Sequence, residues 1–494
     1  MPTLPIIQTL DGHHAWPLYS VSSTRAIEAQ AQAQRPAHTL MQRAGRAAAQ
    51  LALAIQPHAR HIWIACGPGN NGGDGLEAAM HLHRWGKRVT VTWLGREATL
   101  PADAQQSYQR AMQAGVHFQS APPTDFDFVI DALLGIGCQR APEGVMADWL
   151  DTIHQAAVPV LNLDVPSGLM ADTGQWRRPG AGLLPNIPRH TLSLLSLKPG
   201  LFTADGRDAA GQVWFDDLGV EIPSDRVPTA WLQASHAPKP TRFHSSHKGS
   251  FGDVMVVGGA PGMSGAAVLA SLAALHGGAG RVFAALLDTA SHSAVSATHP
   301  CLMVRHIDSL DFKNATVVCG CGGADAVRAA LPRVISTAAR LVLDADALNA
   351  IAQDLSLQGL LKQRSARDQA TVLTPHPLEA ARLLGQSTAE VQSHRIEAAQ
   401  QLAAQTLSVV VLKGSGTIVA HPAQVPVINP TGNARLATAG TGDVLAGLIG
   451  AKLAQGASTF EAACDAVRQH GSVADAWPAT GPALDAALLA ASLG

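Results

Sequence analysis

Residues 61–84 read HIWIAC (His61–Cys66), then GPGNNGGDG (Gly67–Gly75), then LEAAMHLHR (Leu76–Arg84). An apolar run of strand length, a turn crowded with glycine and a helically spaced stretch make the first half of a βαβ unit. Glycine in such a turn lets the backbone reach φ > 0 and lets another molecule approach the main chain. The free N–H groups and dipole of the following helix then favour an anion. The spacing matches neither the dinucleotide GxGxxG nor the GxxxxGK[ST] of a P-loop. The turn points to a phosphate and leaves its owner open.

The same alternation extends outward on both sides. VSSTRAIEAQAQAQRPAHTLMQRAGRAAAQLALAI, from Val21, predicts two helices broken at Pro36. Downstream, RVTVTWLG, ADAQQSYQRAMQAG, FDFVIDALLG, ADWLDTIHQAA and PVLNLDVPSG continue the series. A parallel sheet covered on both faces follows, a Rossmann-like three-layer α/β/α sandwich, and ligands of such sheets sit at the carboxyl ends of the strands. GPGNNGGDG, DALLGIG and DVPSG all fall there, with Asp131 and Asp164 each closing an apolar run. Residues 226–246 turn irregular and rich in Pro, Ser and His, and read as a linker. A second alternating series begins at FGDVMVVGG and bears no repeat relation to the first. The expected organisation is residues 1–225, a linker at 226–246, and residues 247–494.

Composition narrows the function classes. A chain of 494 residues with 47% hydrophobic and 4% aromatic content suits tightly packed α/β layers. A formal net charge of −2 with no basic run gives no footprint for nucleic acid. The uncharged stretch 254–280 is broken by GGAPGMSG and HGGAG, so it reads as turn, helix and turn rather than a membrane span. No export signal is apparent at the N-terminus, and the six cysteines lack zinc spacing. A cytoplasmic protein with buried free thiols is expected.

In the second half, TAGTGDVLAGLIGAKL (Thr438–Leu453) places an open glycine turn before a helix, with Asp443 in its first turn. An acid beside a phosphate site can take a proton from a hydroxyl as phosphate is transferred to it; equally, Asp443 can cap the helix. Lys413 and its glycines, in LKGSGT, are candidates for a nucleotide's phosphate or ribose, or a plain hairpin turn. His376 and Glu379 open a helix. Asp344 and Asp346, in VLDADALN, reach a Mg²⁺ through water or cap the next helix.

Taken in order, HKGSFGDVMVVGGAPGMSGAAVLA, LVLDADALN, LTPHPLEAARLL, LKGSGT and ATAGTGDVLAG resemble the NAD(P)H-hydrate dehydratases, a branch of the ribokinase-like α/β fold. The resemblance implies that Asp443 is the base acting on the hydroxyl of a hydrated nicotinamide ring, with ADP as co-substrate and Mg²⁺ as cofactor. It implies nucleotide contacts at Lys413, Gly414, Ser415, Gly416, Thr417 and Gly442, and a substrate pocket at Ala266, Gly323, His376 and Asp443. The family's usual GPGLG reads CGCGG here, Cys319–Gly323.

Residues 20–220 carry LMQRAG, GPGNNGGDG, DALLGIG, DVPSG and LKPGLFTADGRDAAG, and resemble the NAD(P)H-hydrate epimerases. By that resemblance the substrate is hydrated NADH or NADPH (NADHX, NADPHX). It would be bound by Asn70, Asn71, Gly72, Gly73 and Asp74, and by a second loop of Gly135, Ile136, Gly137, Cys138, Gln139, Arg140 and Ala141. Ile136 stands where the family often has Thr. Asp164 would be the acid–base group, Lys198 its electrostatic partner, and Asn71, Asp131 and Ser167 a K⁺ site. On the residues alone, Asp131 and Asp164 equally satisfy turn amides and Lys198 equally sits in solvent. The implied protein is a bifunctional repair enzyme with small-molecule partners, no nucleic acid, no membrane, and a homo-oligomeric state. The alternative is a ribokinase-like small-molecule kinase with an N-terminal nucleotide-binding module.

Overall fold

The computed structural model describes residues 7–10, 12–177, 186–235 and 243–494. The chain divides into two compact units, built around residues 16–230 and 231–494. Of the expected linker 226–246, residues 236–242 lie outside the described residues, and Ala230–Leu232 is a strand pairing in parallel with Gln424–Ile428. Its Ala-Trp-Leu is an apolar island that the surrounding Pro and Ser concealed.

In the first unit the strands lie in the order Gln8–Thr9, Gln212–Asp216, Arg189–Leu194, Val160–Leu163, Phe128–Ala132, His61–Cys66, Arg88–Trp93, His117–Gln119. All neighbours are parallel except the edge strand Gln8–Thr9. The period of two along His61–Cys66 serves two cores, as expected of a sheet covered on both faces. Ile62, Ile64 and Cys66 join a cluster with Leu40, Leu51 and Leu76 from the helices Thr39–Ile55 and Asn70–Arg84. Trp63 and Ala65 point to the other face, against Trp149, Leu150 and Ile153 of the helix Val145–Gln155. The helices expected around Pro36 are Val21–Ala33 and Thr39–Ile55.

The glycine turn is shorter than its sequence suggests. The helix starts at Asn70, capped by an extended Gly69, so the NNGGDG run is its first turn and a half. Most of its glycines answer to packing rather than to ligand approach. A Cβ on Gly67 would sit 1.8 Å from Leu133 O, and one on Gly72 2.0 Å from Gly67 O. We expect Gly72→Ala to destabilise the first unit by about 1–3 kcal/mol, as overpacking does, read as an earlier urea transition; an unchanged midpoint refutes it.

The second unit has the order Met303–Val304, Arg281–Leu286, Asp253–Gly258, Thr316–Cys319, Arg340–Leu343, Ala370–Leu373, Val409–Leu412, Ile418–His421, Gln424–Ile428, Ala230–Leu232. It is parallel as far as Val409–Leu412, and then folds through antiparallel pairings to Gln424–Ile428. The helix Thr441–Ala454 is buried along almost its whole length. Gly447 allows this: a Cβ there would lie 2.0 Å from Ala270 O of the neighbouring helix Ser264–His276. Among the described residues no helix is long and apolar enough to cross a membrane. All six cysteines are free; four are buried, Cys464 is half-buried and Cys301 is exposed.

Candidate active sites

In the first unit a cavity of about 420 Å³ opens where His61–Cys66, Phe128–Ala132, Val160–Leu163 and Arg189–Leu194 end. Asp164 follows Val160–Leu163 in the left-handed region, φ 65°, with its N–H bonded to Leu192 O at 2.8 Å. A non-glycine residue held there marks a constrained position. Asp164 Oδ1 accepts a hydrogen bond from Lys198 Nζ, and Oδ2 accepts from Ile136 N at 3.3 Å. Lys198 is wholly buried and also donates to Leu194 O at 2.7 Å. The surface-charge reading of Lys198 is thereby overturned: it is the cation of a buried pair.

Asn70, Asn71, Asp74, Gly135, Ile136 and Gly137 line the same cavity. Gly72, Gly73, Cys138, Gln139, Arg140 and Ala141 do not. Gly73 instead faces Met41, and the Cys138 thiol donates to Arg140 O at 3.4 Å. Asp74 is pushed well above the usual carboxylate range by burial first, and then by Asp164 and Glu28. Beneath the cavity, Asp131 Oδ1 accepts from Ser167 Oγ at 2.7 Å and from Leu133 N at 3.1 Å, while Oδ2 accepts from Ser167 N at 3.1 Å. Asp131 therefore does satisfy turn amides, and burial still raises its carboxyl against those bonds. The amide oxygen and nitrogen of Asn71 are buried without a hydrogen-bond partner. An orphaned neutral oxygen is costly unless something meets it. An amide oxygen, a carboxylate and a hydroxyl are the donor types a monovalent cation takes, and Asn71 Oδ1 is the one of these left without a bond.

In the second unit Asp443 lies in the first turn of Thr441–Ala454, where Gly440, not Asp443, holds the N-cap position. The capping reading fails, and the carboxylate faces Asp344 and Cys321 instead: one ligand atom from each lies within 4.8 Å of the others. Burial, then the charge of Asp344, push the Asp443 carboxyl up to about 7; the Cys321 thiol and Lys413 pull against this. Asp344, at the end of Arg340–Leu343, accepts from Lys413 Nζ at 2.8 Å and from Thr374 Oγ1 at 2.7 Å. Burial works against the Lys413 ammonium, but Asp344 and Glu379 outweigh it and raise its pKa. The Lys413 side chain is thus engaged with a carboxylate of its own chain.

Gly414, Ser415, Gly416 and Thr417 form the turn between antiparallel Val409–Leu412 and Ile418–His421, so the hairpin reading also holds. Gly442 adjoins this cluster, since a Cβ on it would lie 3.4 Å from Lys413 Nζ. Gly322 stands against Ala266, whereas Gly323 packs against Val327. His376 serves as a helix cap: its Nδ1 accepts from Leu378 N at 3.1 Å, and Glu379 Oε2 accepts from His376 N at 2.7 Å. Asp346 Oδ2 accepts from Ala324 N at 2.8 Å.

Comparison with known proteins decides between the readings. The bifunctional NAD(P)H-hydrate repair enzyme Nnr of Escherichia coli (strain K12) is 37% identical over 462 residues, covering 89% of this chain and 85% of that protein. The chain belongs to the bifunctional NAD(P)H-hydrate repair enzymes. The Coxiella burnetii repair enzyme is 36% identical over 89% of this chain and 90% of its own length. The NAD(P)H-hydrate dehydratase family matches residues 254–493, and the YjeF-related protein N-terminus matches residues 37–200. Among solved structures, the ADP/ATP-dependent NAD(P)H-hydrate dehydratase of Bacillus subtilis, co-crystallised with ATP/Mg²⁺, is 31% identical over 52% of this chain and 92% of that one, with a TM-score of 0.45.

Two residues of this repair enzyme escape motif reading. Glu28 lines the first cavity from the helix Val21–Ala33, upstream of every motif quoted for it. Cys321 occupies the altered CGCGG loop, with its Sγ 3.9 Å from Asp344 Oδ2 and within 4.8 Å of an Asp443 carboxylate oxygen. The departure of CGCGG from GPGLG was visible; its approach to Asp443 was not.

Proposed function

We propose that the first unit interconverts the R and S epimers of NADHX and NADPHX, and that the second dehydrates the S epimer at the expense of ADP, releasing AMP and phosphate. The epimerase would span residues 1–225 and the dehydratase residues 247–494. The observation that carries the reading is the Asp443 carboxyl, held near neutrality beside Lys413 and Asp344. A base of that pKa is half ionised at physiological pH, which suits it to accept a hydroxyl proton as the phosphoryl group arrives. The phosphorylated oxygen then leaves as phosphate with the C–O electrons, the neighbouring ring carbon gives up a proton to solvent, and the electrons of that C–H bond restore the ring double bond. The turn Gly414–Thr417 and the Gly442 amide are offered for the nucleotide. Asp344 already carries an ammonium, so Mg²⁺ would be held through phosphates and water, and would neutralise charge on the transferred group.

In the first unit Asp164 would hold and move the proton of the ring hydroxyl, with Lys198 fixing its carboxylate. Asn71, Asp131 and Ser167 would hold K⁺, which supplies positive charge beneath the substrate's phosphates. Asn70, Asp74 and Gly135–Gly137 are offered as contacts. We take the enzyme to be cytoplasmic and a homo-oligomer; a molar mass from light scattering equal to one 51.2 kDa chain would reject the latter. The test of the activities is incubation of mixed-epimer NADHX with ADP, following the absorbance of reduced nicotinamide. Complete recovery supports both units. Recovery that stalls near half removes the epimerase, and a stable phosphorylated product with no recovery favours a kinase.

The pH dependence has a definite sign. Dehydratase kcat/KM should rise with pH through about 7 and level off above it, because Asp443 must be ionised to accept the proton. Glu379 is also raised to about 7, by burial first. Glu379→Gln separates the two: the limb should survive it. A profile flat from pH 5 to 9 rejects Asp443 as base.

A further inference from the structure

We infer that Glu28 is the second acid–base group of the epimerising site, acting on the face of the reacting carbon opposite Asp164; this rests on the epimerase reading above. Inverting a carbon that bears a hydroxyl needs proton traffic on both faces. Oxygen leaving one face must be protonated, and oxygen arriving at the other must be deprotonated. Asp164, bound to Lys198, enters the cavity from the end of a strand. The helix Val21–Ala33 enters it from a different element, and Thr24, Glu28 and Gln32, one turn apart on a single face, line the cavity.

Glu28 is half-buried, and among the described residues nothing hydrogen-bonds its carboxylate. An acid left without a bond inside a ligand cavity is poised for a proton that is not its own chain's. Burial, then the charge of Asp164, push the Glu28 carboxyl up; Lys198 and Arg25 pull it down, and Asp103 pushes it up again. The site thus holds one carboxylate tied to an ammonium, Asp164, and two carboxyls biased toward their protons, Glu28 and Asp74, an arrangement that separates acid from base.

The step balances as follows. Protonated Glu28 gives its proton to the ring hydroxyl as the carbon–oxygen bond breaks with its electrons going to oxygen. The ring nitrogen's lone pair forms the carbon–nitrogen double bond, and water departs on that face. A second water adds on the opposite face, and Asp164 takes its proton as the double-bond electrons return to nitrogen. Glu28 is left ionised and Asp164 protonated, and exchange with solvent resets both. The reverse reaction runs the same path with the roles exchanged.

The experiment is epimer exchange on the full chain without ADP, followed by chromatography of the two epimers, for wild type, Glu28→Gln and Glu28→Asp. The expected result is a fall in kcat of about 10²–10⁴-fold for Glu28→Gln with KM little changed, loss of one limb of the pH profile, and partial rescue in Glu28→Asp. Wild type run in water labelled with heavy oxygen should place the label in the ring hydroxyl. A wild-type urea transition of the first unit in the same Glu28→Gln protein reports that this unit is folded. Glu28→Gln exchanging within about twofold of wild type, with both limbs intact, overturns the role of Glu28. Unlabelled product overturns the water route. A wild type that does not exchange epimers at all removes the underlying epimerase reading instead.

Discussion

Asp443→Asn should lower the rate of dehydration of the S epimer by about 10²–10⁴-fold, the loss typical of removing a positioned base. The substitution keeps the size of the side chain and removes only its capacity to accept a proton. ADP binding should persist within a few-fold, because the surfaces offered for it are the Gly414–Thr417 turn and the Gly442 amide. Epimer exchange in the other unit should be untouched. The limb at about 7 should vanish from the residual rate even though Glu379, also held at about 7, remains. Stability moves the opposite way. A carboxyl whose folded pKa lies above its unfolded value destabilises the fold as pH rises between the two. The Asn variant should therefore resist urea better than wild type at pH 8 and no better at pH 4. Full dehydratase activity in Asp443→Asn sinks the assignment.

Lys198→Met should have the largest effect on the first unit. The ammonium is wholly buried against Asp164, and stripping one partner from a buried pair costs about 3–5 kcal/mol because the other charge is left without compensation. Epimer exchange should fall by about 10²–10⁴-fold. The double variant Lys198→Met/Asp164→Asn separates the causes: it should recover much of the stability and none of the exchange. If the single variant unfolds at the wild-type urea concentration, the pair is not the buried element described.

The fold was legible because the alternation of apolar runs and helical stretches is what a doubly covered sheet requires, and Trp63 and Ile64 facing separate cores is that requirement made visible. The glycine turn was legible as a site and misread in its cause. Gly67 and Gly72 are small because backbone presses on them, which spacing alone does not reveal. His376 with Glu379 carried its capping role openly, as the Pro-Leu-Glu that follows His376 places a carboxylate at the third position of the helix. Lys198 could not be told from a surface lysine, since burial is a property of the neighbours. Cys138–Ala141 follow the lining loop in sequence yet leave the cavity in space. Glu28 lay in a helix with no motif at all, and only the convergence of separate elements on one cavity singles it out.

The clasp between Gly447 and Ala270 has a bearing on how the second unit must work. Backbone packed that closely fixes where the helix presents Asp443, so the reacting molecules have to be delivered to it. The hairpin at 414–417 is held as well: Gly416 is buried, Thr417 O accepts from Asn429 N at 2.9 Å, and a Cβ on Gly414 would lie 2.9 Å from the guanidinium of buried Arg395.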